Sequence, residues 1–128
     1  MKNEEDGDTL TLFTHGRLEA GKGIDMIVRV FQRLRESKSN VSLIVFGTGS
    51  LESELRKQGI EVQSFERETT FRTLLTGKYG HVVGVYCSEI DGFGMAPLES
   101  QIAGFPTIIL DRAGARETIV TNVSDEPV

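Results

Sequence analysis

The residues best suited to chemistry fall in two glycine-rich segments, and the first lies near the start of the chain. This loop, Gly16–Gly23 (GRLEAGKG), places Arg17 and Lys22 between an apolar run and an amphipathic stretch. Where a strand passes into a helix, the free amides of the helix attract anions, and two cations strengthen that attraction. The loop therefore predicts a phosphate site, although a glycine-rich turn with two solvated bases explains it equally well.

The second segment, DGFGMAPLES, begins at Asp91 and leads into a predicted helix with Pro97 in its first turn, where proline is favoured. The amides around Gly92 and Gly94 suit a diphosphate. Asp91 and Glu99 lie eight positions apart, a placement that suits hydrogen bonds to neighbouring sugar hydroxyls. Each carboxylate alone has a structural explanation, as a turn aspartate or as a partner of free helix amides. Only the combination favours a functional site.

Two other nucleotide-binding motifs are partly matched. The first loop nearly spells the P-loop G-x-x-x-x-G-K-[ST], but Gly23 stands where a hydroxyl should bind magnesium. Thr107–Asp111 imitates the apolar run ending in an aspartate that such proteins use for the metal. Gly47–Ser50 (GTGS) matches half of a dinucleotide fingerprint, but Glu52 occupies the place of the third glycine. A tight turn with Ser50 as helix cap is the safer explanation of the latter.

The elements that must position these segments alternate between apolar runs and amphipathic stretches. Apolar runs predict strands over 9–14, 41–46, 60–65, 81–86 and 106–110. Helical spacing and cap signals predict helices over 24–34, 51–58, 69–79, 96–103 and 115–120. This order predicts a Rossmann-like three-layer α/β/α domain with a parallel sheet of about five strands. Ligands of such sheets bind outside the carboxyl ends of the strands, which selects the loops 16–23, 47–50, 66–68, 87–95 and 111–114.

Composition limits the class of protein. The chain has 128 residues, 38% of them hydrophobic and 26% charged, as expected for one soluble domain. Its net charge of −5 arises at the two ends, and the clustered basic excess of a nucleic-acid-binding surface is lacking. Cys87 is the single cysteine, which excludes an intrachain disulfide and favours a reducing compartment. No apolar run approaches the roughly 18 residues of a membrane span.

These features predict a cytoplasmic protein in three parts. Residues 1–8 form a disordered acidic head, residues 9–124 the α/β domain, and residues 125–128 a tail. The acidic start is unlike the basic and apolar start of a signal peptide.

Taken together, the segments resemble the C-terminal, donor-binding domain of retaining glycosyltransferases of the GT-B arrangement, from the glycosyl transferases group 1 family. The G-R-x4-K-G loop of that family is matched by Gly16, Arg17, Lys22 and Gly23. Its E-x7-E signature, then A-G-x-P and G-G-x-x-E, is followed in order and spacing by Asp91–Glu99, Ala103–Pro106 and Gly114–Glu117. The similarity covers residues 9 to 121.

The resemblance implies that the domain binds a nucleotide-diphosphate sugar for hexose transfer. Arg17 and Lys22 would neutralise the diphosphate leaving group. Asp91 would contact the transferred sugar, and Glu99 would hold the ribose hydroxyls. The other implied donor contacts are Gly16, Gly92, Phe93, Gly94 and Met95 at the sugar and phosphates, and Phe65 and Arg67 near the base. No metal or other cofactor is implied, because basic residues and helix amides act in its place.

Two departures from the family pattern affect these expectations. Asp91 replaces the first glutamate of the signature, which shortens its reach by about one bond length. Gly114-Ala115 replaces the usual glycine pair. Either change could mark an altered donor or a weakened enzyme. His15 and His81 fall in no matched motif and are expected to be structural.

The N-terminal acceptor domain of the family is missing from this sequence, so we expect the isolated chain to bind the donor without turnover. Any peripheral membrane contact would be made through that domain. The alternatives are a non-catalytic nucleotide-binding module of the same fold and, ranked lower, a degenerate P-loop protein that needs magnesium. A sugar epimerase shares the fold but should show different acid–base residues.

Overall fold

The apolar runs form the strands of a single sheet. The chain is seen here in a computed structural model, which describes residues 9–21, 23–88, 95–111 and 119–120. The strands are β1 (Leu10–His15), β2 (Val41–Phe46), β3 (Glu61–Gln63), β4 (His81–Ser88), β5 (Thr107–Asp111) and β6 (Ile119–Val120). The helices of these residues are α1 (Ile24–Ser37), α2 (Glu52–Lys57), α3 (Arg67–Leu74) and α4 (Ala96–Ile102). The predicted Rossmann-like architecture is confirmed.

The strand order is β3-β2-β1-β4-β5-β6, and every pair is parallel except β5 with β6. From β1 the chain moves outward to β3, crosses back, and continues on the other side of β1 with β4. The strand order therefore reverses between β1 and β4. In an open parallel sheet this reversal opens a crevice at the carboxyl ends, where ligands bind.

Helices cover both faces of the sheet. The face under α1 and α2 holds a mainly aliphatic cluster that includes Leu12, Ile27, Val45 and Leu55. The face under α3 and α4 holds a mainly aromatic cluster of Phe13, Ile44, Phe46, Phe71, Leu74, Tyr86 and Phe105. Leu12 and Phe13 belong to different clusters because successive side chains of a strand point to opposite faces. The three predicted layers follow from this alternation.

The end of the described chain differs from the prediction. A helix over 115–120 is wrong at its last two residues, because Ile119–Val120 forms β6 and pairs antiparallel with Ile109 and Leu110. Both residues of β6 are β-branched, a shape that favours a strand over a helix once an edge is available for pairing. Residues 112–118 lie outside the described residues, as do the predicted head at 1–8 and tail at 125–128.

The predicted cap of α2 is also wrong. The helix begins at Glu52 with Leu51 as its N-cap, and no side chain of the described residues caps it. The amide of Leu51 donates instead to the carbonyl of Leu18 at 2.9 Å, and that of Glu52 to the carbonyl of Gly49 at 3.2 Å. Backbone carbonyls thus take the place that Ser50 was expected to fill.

Other boundaries move by a few residues. The third strand is shorter than predicted, and α3 begins at Arg67 and ends at Leu74. Within the described ranges, no helix is long and apolar enough to cross a membrane.

Candidate functional site

Backbone hydrogen bonds fix the start of the first loop, directly after β1. The amide of Gly16 donates to the carbonyl of Phe46 at 3.0 Å, and that of Leu18 to the carbonyl of Thr48 at 3.0 Å. Leu18 is fully buried and anchors the loop in the aliphatic cluster. The amide of Gly16 is therefore already used within the fold. No described atom lies within 4 Å of the position that a Cβ would take there.

The turn Gly47–Gly49 holds this loop from the neighbouring strand. A Cβ on Gly47 would lie 1.9 Å from the carbonyl oxygen of Gly16, and one on Gly49 would lie 2.3 Å from that of Leu18. Both distances are far below van der Waals contact. The close approach that these two glycines permit is therefore made by the backbone of the first loop, and this explains the half-matched dinucleotide motif.

The backbone conformation at position 23 explains why a glycine stands there. Gly23 is the N-cap of α1 with φ +84°, in the left-handed region that glycine enters readily and most other residues avoid. Its carbonyl accepts hydrogen bonds from the amides of Met26 and Ile27 at 3.0 and 3.2 Å. The missing hydroxyl of the P-loop pattern thus coincides with a backbone conformation that disfavours serine and threonine.

Arg17 presents its guanidinium to solvent beside this loop. The side chain is 72% exposed and lies 3.3 Å from the carboxylate of Glu19, which is 42% exposed. Ion pairs between exposed side chains contribute little to stability, so an incoming anion can replace Glu19 at small cost. Lys22, the second predicted cation, lies outside the described residues.

Glu99 lies across the crevice, in the first turn of α4. Among the described residues no side-chain hydrogen bond caps α4, and the described bonds of Glu99 run to other elements of the fold. Its Oε1 accepts from Nε2 of His15 at 2.8 Å, and its Oε2 lies 3.3 Å from Nη2 of Arg67. The carboxylate is 25% exposed. Three elements, β1, α3 and α4, thus meet at one carboxylate where the strand order reverses.

His15, the last residue of β1, is held from several sides. Its Nδ1 lies 2.7 Å from the hydroxyl of Tyr86 on β4, and its ring stacks on that of Phe65 with the centroids 4.4 Å apart. Phe71 contacts the same ring edge-on at 5.5 Å. The side chain of His15 is only 4% exposed. This packing fixes the direction in which its Nε2 points.

Burial lowers the pKa of His15, against the raising influence of the hydrogen bond and charge of Glu99. Burial raises the pKa of Tyr86, so its hydroxyl stays protonated. A carboxylate only accepts hydrogen bonds, so Nε2 of His15 must carry the proton directed at Glu99. In the neutral ring Nδ1 then accepts from the hydroxyl of Tyr86. The two contacts select one tautomer.

Sequence reasoning assigned His15 a structural role, and it passed over Tyr86. The structure places His15 in direct contact with Glu99, a predicted site residue. The position of His15 in the sequence could have indicated a role in the site, because His15 lies at the carboxyl end of a predicted strand and immediately precedes the Gly16-Arg17 loop. His81, in contrast, begins β4 and therefore lies at the amino end of the parallel strands.

A cavity of about 610 Å³ opens beside Glu99, between α3 and α4. Arg67, Met95 and Glu99, all predicted donor contacts, line it together. Phe71 and Ala103 are also part of its wall. Its volume lies in the range of ligand pockets, about 300–1,000 Å³. The structure thus brings three predicted residues to one cavity, and Phe65 adjoins them through its stack on His15.

Comparison with known proteins decides the family. The profile described as "Glycosyl transferases group 1" matches residues 1–125. The chain belongs to the glycosyl transferases group 1 family. No curated protein sequence matches it.

Two solved structures share the fold of this glycosyltransferase domain. One is the pneumococcal O-GlcNAc transferase GtfA in complex with UDP and GlcNAc, with a TM-score of 0.62 and 23% identity over 77% of this chain and 20% of that chain. The other is a mutant of S. aureus TarM in complex with Fondaparinux, alpha-GlcNAc-glycerol and UDP, with a TM-score of 0.58 and 16% identity over 81% of this chain and 22% of that chain. The chain therefore spans about a fifth of the length of either neighbour, and its fold is half of a GT-B arrangement.

The remaining predicted site residues of this glycosyltransferase domain fall on a stretch that is not described. Asp91, Gly92, Phe93 and Gly94 lie outside the described residues, between β4 and α4. Among the residues that are described, no group of three or more His, Cys, Asp or Glu side chains is placed to hold a metal ion.

Proposed function

We propose that this domain binds the nucleotide-diphosphate-sugar donor of a retaining glycosyltransferase that transfers a hexose. One observation carries the proposal. The Glu99 carboxylate, anchored by His15, lies at the reversal of strand order and borders a cavity of about 610 Å³. The same crevice is where open parallel sheets bind nucleotides.

Glu99 is proposed to accept hydrogen bonds from the ribose hydroxyls. Each oxygen of an ionised carboxylate can accept about two hydrogen bonds. Among the described residues, His15 and Arg67 use one position on each oxygen, which leaves acceptor capacity for two vicinal hydroxyls. The partial exposure of Glu99 toward the cavity supports this role. Phe65 and Arg67 would then lie near the base.

Arg17 and Lys22 are proposed to neutralise the diphosphate. The fixed backbone at Gly16 and the empty space beside it allow a phosphate to approach the loop closely. Positive charge placed where the leaving group develops negative charge lowers the barrier to transfer. In this proposal the two cations and the helix amides suffice, and no metal or other cofactor takes part.

The sugar side of the proposal rests on the family pattern. Asp91 would contact the transferred sugar, with the amides of Phe93, Gly94 and Met95 against the sugar and phosphates. Asp91 is shorter than the glutamate of the pattern, and this specific feature favours a second candidate, a non-catalytic module that binds the donor without transfer. In either case the isolated domain binds and does not turn over.

The test is nucleotide binding without magnesium. UDP is the first probe because both neighbouring structures hold it, and GDP and ADP complete the panel. A ligand at a hundredfold excess over its dissociation constant stabilises the fold by about 2.7 kcal/mol. We expect one nucleotide to raise the melting temperature in the presence of EDTA. Arg17→Ala should weaken that effect, whereas Arg29→Ala, which removes a similarly exposed arginine from α1, should leave it unchanged.

Three results would contradict the proposal or redirect it. The absence of any shift at millimolar nucleotide would overturn it. Binding of ATP or GTP that strictly requires magnesium would favour the P-loop alternative. Donor binding with no transfer by the intact protein, both with Asp91 and with Asp91→Glu, would favour the non-catalytic module.

A further inference from the structure

We propose that His15 is a positioning residue for donor binding, whose Nε2–H holds the Glu99 carboxylate in the orientation that receives the ribose, while the hydroxyl of Tyr86 selects the tautomer that makes this possible. The inference rests on the proposed donor-binding function. It adds to that function a residue outside every motif that identified the family.

The two partners of Glu99 differ in how firmly they can hold it. Arg67 is 66% exposed and lies 3.3 Å from Oε2. His15 is 4% exposed and lies 2.8 Å from Oε1. A solvated arginine loses side-chain entropy in forming such a pair and gains little from it. The buried imidazole is already ordered, so His15 provides the fixed contact and Arg67 an exchangeable one.

The ring of His15 is ordered before any ligand arrives. Phe65 stacks on one face at 4.4 Å, and Phe71 and Tyr86 approach edge-on at 5.5 and 5.4 Å. These contacts leave the imidazole little freedom to rotate. A carboxylate held by such a ring does not need to be ordered during binding, and avoiding that cost raises affinity.

A chain of hydroxyl groups extends the support of His15 into the core. The hydroxyl of Tyr86 bonds Nδ1 at 2.7 Å, and Ser100 lies beside Tyr86. The hydroxyl of Ser100 lies 2.8 Å from that of Thr107, which donates to the carbonyl of Phe105 at 3.0 Å. Ser100 and Thr107 are fully buried. Because Thr107 donates to Phe105, the single proton of Ser100 is directed at Thr107, and the proton of Tyr86 is directed at Nδ1, which accepts it in the neutral ring.

Within the part of the chain that the structure describes, the charged and titratable groups that face His15 come from three elements. They are Tyr86 on β4, Glu99 on α4 and Arg67 on α3. Protonation of His15 would place an N–H on Nδ1, opposite the proton of Tyr86, and one of the two contacts would have to rearrange. At neutral pH the neutral ring satisfies both, because the pKa of His15 is lowered by burial.

Two substitutions by amide side chains distinguish the roles of the two ring nitrogens of His15. His15→Gln places a side-chain N–H close to the position of Nε2 and retains the bond to Glu99. His15→Asn is shorter and retains at most the contact with Tyr86. We expect His15→Asn to weaken the tightest-binding nucleotide of the panel by about tenfold, the effect of losing one hydrogen bond to a charged group. His15→Gln should stay within about threefold of the parent chain.

A double-mutant cycle shows whether His15 acts through Glu99. In the Glu99→Ala background, His15→Asn should have almost no further effect on the dissociation constant, because the carboxylate it positions is gone. A purely structural role predicts additive losses. Inorganic pyrophosphate, which has no ribose, should bind the parent and His15→Asn chains equally well.

Several outcomes would overturn the proposal while leaving the proposed function intact. They are nucleotide binding by His15→Asn at parental affinity, additive losses in the cycle, and equal weakening by His15→Gln and His15→Asn. Failure of the parent chain to bind any nucleotide would instead count against the proposed function.

Spectroscopy provides a test that does not depend on the folding of His15→Asn. Long-range ¹H–¹⁵N correlation of the parent chain should show the His15 ring as the neutral Nε2–H tautomer at pH 7.5, with Nε2 shifting on addition of nucleotide. Tyr86→Phe should shift the ring toward a mixture of tautomers. A parent ring found as the Nδ1–H tautomer, or a nucleotide that leaves Nε2 unmoved, would contradict the proposal.

Discussion

The two sides of the crevice are built in different ways. On the β1 side, backbone hydrogen bonds between the first loop and the Gly47–Gly49 turn fix the position of the loop, and Arg17 extends from it into solvent. On the α4 side, side chains do the positioning, because Glu99 is held by His15. One side therefore depends on the absence of side chains, and the other depends on their identity.

This difference determines which substitutions each side tolerates. A backbone-built loop is insensitive to most changes of its exposed side chains but cannot accept a Cβ where two main chains touch. A side-chain network tolerates small shifts of the backbone but responds to the loss of one nitrogen or hydroxyl, and to pH. The comparison thus separates substitutions that unfold the domain from those that alter its ligand affinity.

The largest effect is expected from a methyl group between the two main chains. Gly47→Ala would bring its Cβ to 1.9 Å from the carbonyl oxygen of Gly16, and neither backbone can move without breaking the strand-end hydrogen bonds. We expect a loss of about 3 kcal/mol or more in the free energy of unfolding, measured by urea denaturation.

Gly59→Ala is the matched control for that experiment. Gly59 has φ +82°, and no described atom lies within 4 Å of its added Cβ, so only backbone strain is added. That cost is about 1–2 kcal/mol. Equal losses in the two variants would show that the contact between loop and turn is not tight, and would remove the contrast between the two sides.

The strands were predictable from sequence because a continuous apolar run in a soluble domain must be buried, and a parallel strand covered by helices on both faces buries all of its side chains. Leu12 and Phe13 show the limit of that reasoning, since both were recognised as strand residues but only the structure assigns them to separate faces. The loops at the carboxyl ends were also predictable, because parallel topology places all of them at one edge. Arg17 lies in one of these loops, and Glu99 lies in the helix that follows another of them.

The residues that escaped prediction depend on contacts between distant parts of the chain. His15 meets Tyr86 and Glu99 across 71 and 84 residues of sequence, and no local spacing carries that information. Ser50 was expected to cap α2 by a local rule, but the carbonyl of Leu18, in the loop after β1, accepts the hydrogen bond from Leu51 instead. In each case a tertiary contact decided the outcome.

A smaller effect is expected from pH on the side-chain network. The pKa of His15 is lowered by burial from its ordinary value of 6.5, so the unfolded chain takes up a proton below pH 6.5 before the folded chain does. Stability therefore falls as the pH drops below 6.5, by at most about 1.4 kcal/mol per pH unit for one proton. Urea denaturation between pH 7.5 and 5.5 should show this decline in the parent chain and a reduced decline in His15→Gln. Parallel curves would mean that His15 titrates alike in the folded and unfolded states.

The smallest effect on stability is expected at Arg17, although its effect on binding should be large. The guanidinium is 72% exposed, and its ion pair among the described residues is with the partly exposed Glu19, so Arg17→Ala should change the free energy of unfolding by less than about 0.5 kcal/mol. The loop keeps its position, because the hydrogen bonds of Gly16 and Leu18 are made by the main chain and do not involve this side chain. Paired measurements of unfolding and nucleotide affinity on Arg17→Ala would check both halves of the expectation. A stability loss as large as that of Gly59→Ala would show that the arginine supports the loop as well as facing it, and the division between a backbone-built and a side-chain-built side would then have to be abandoned.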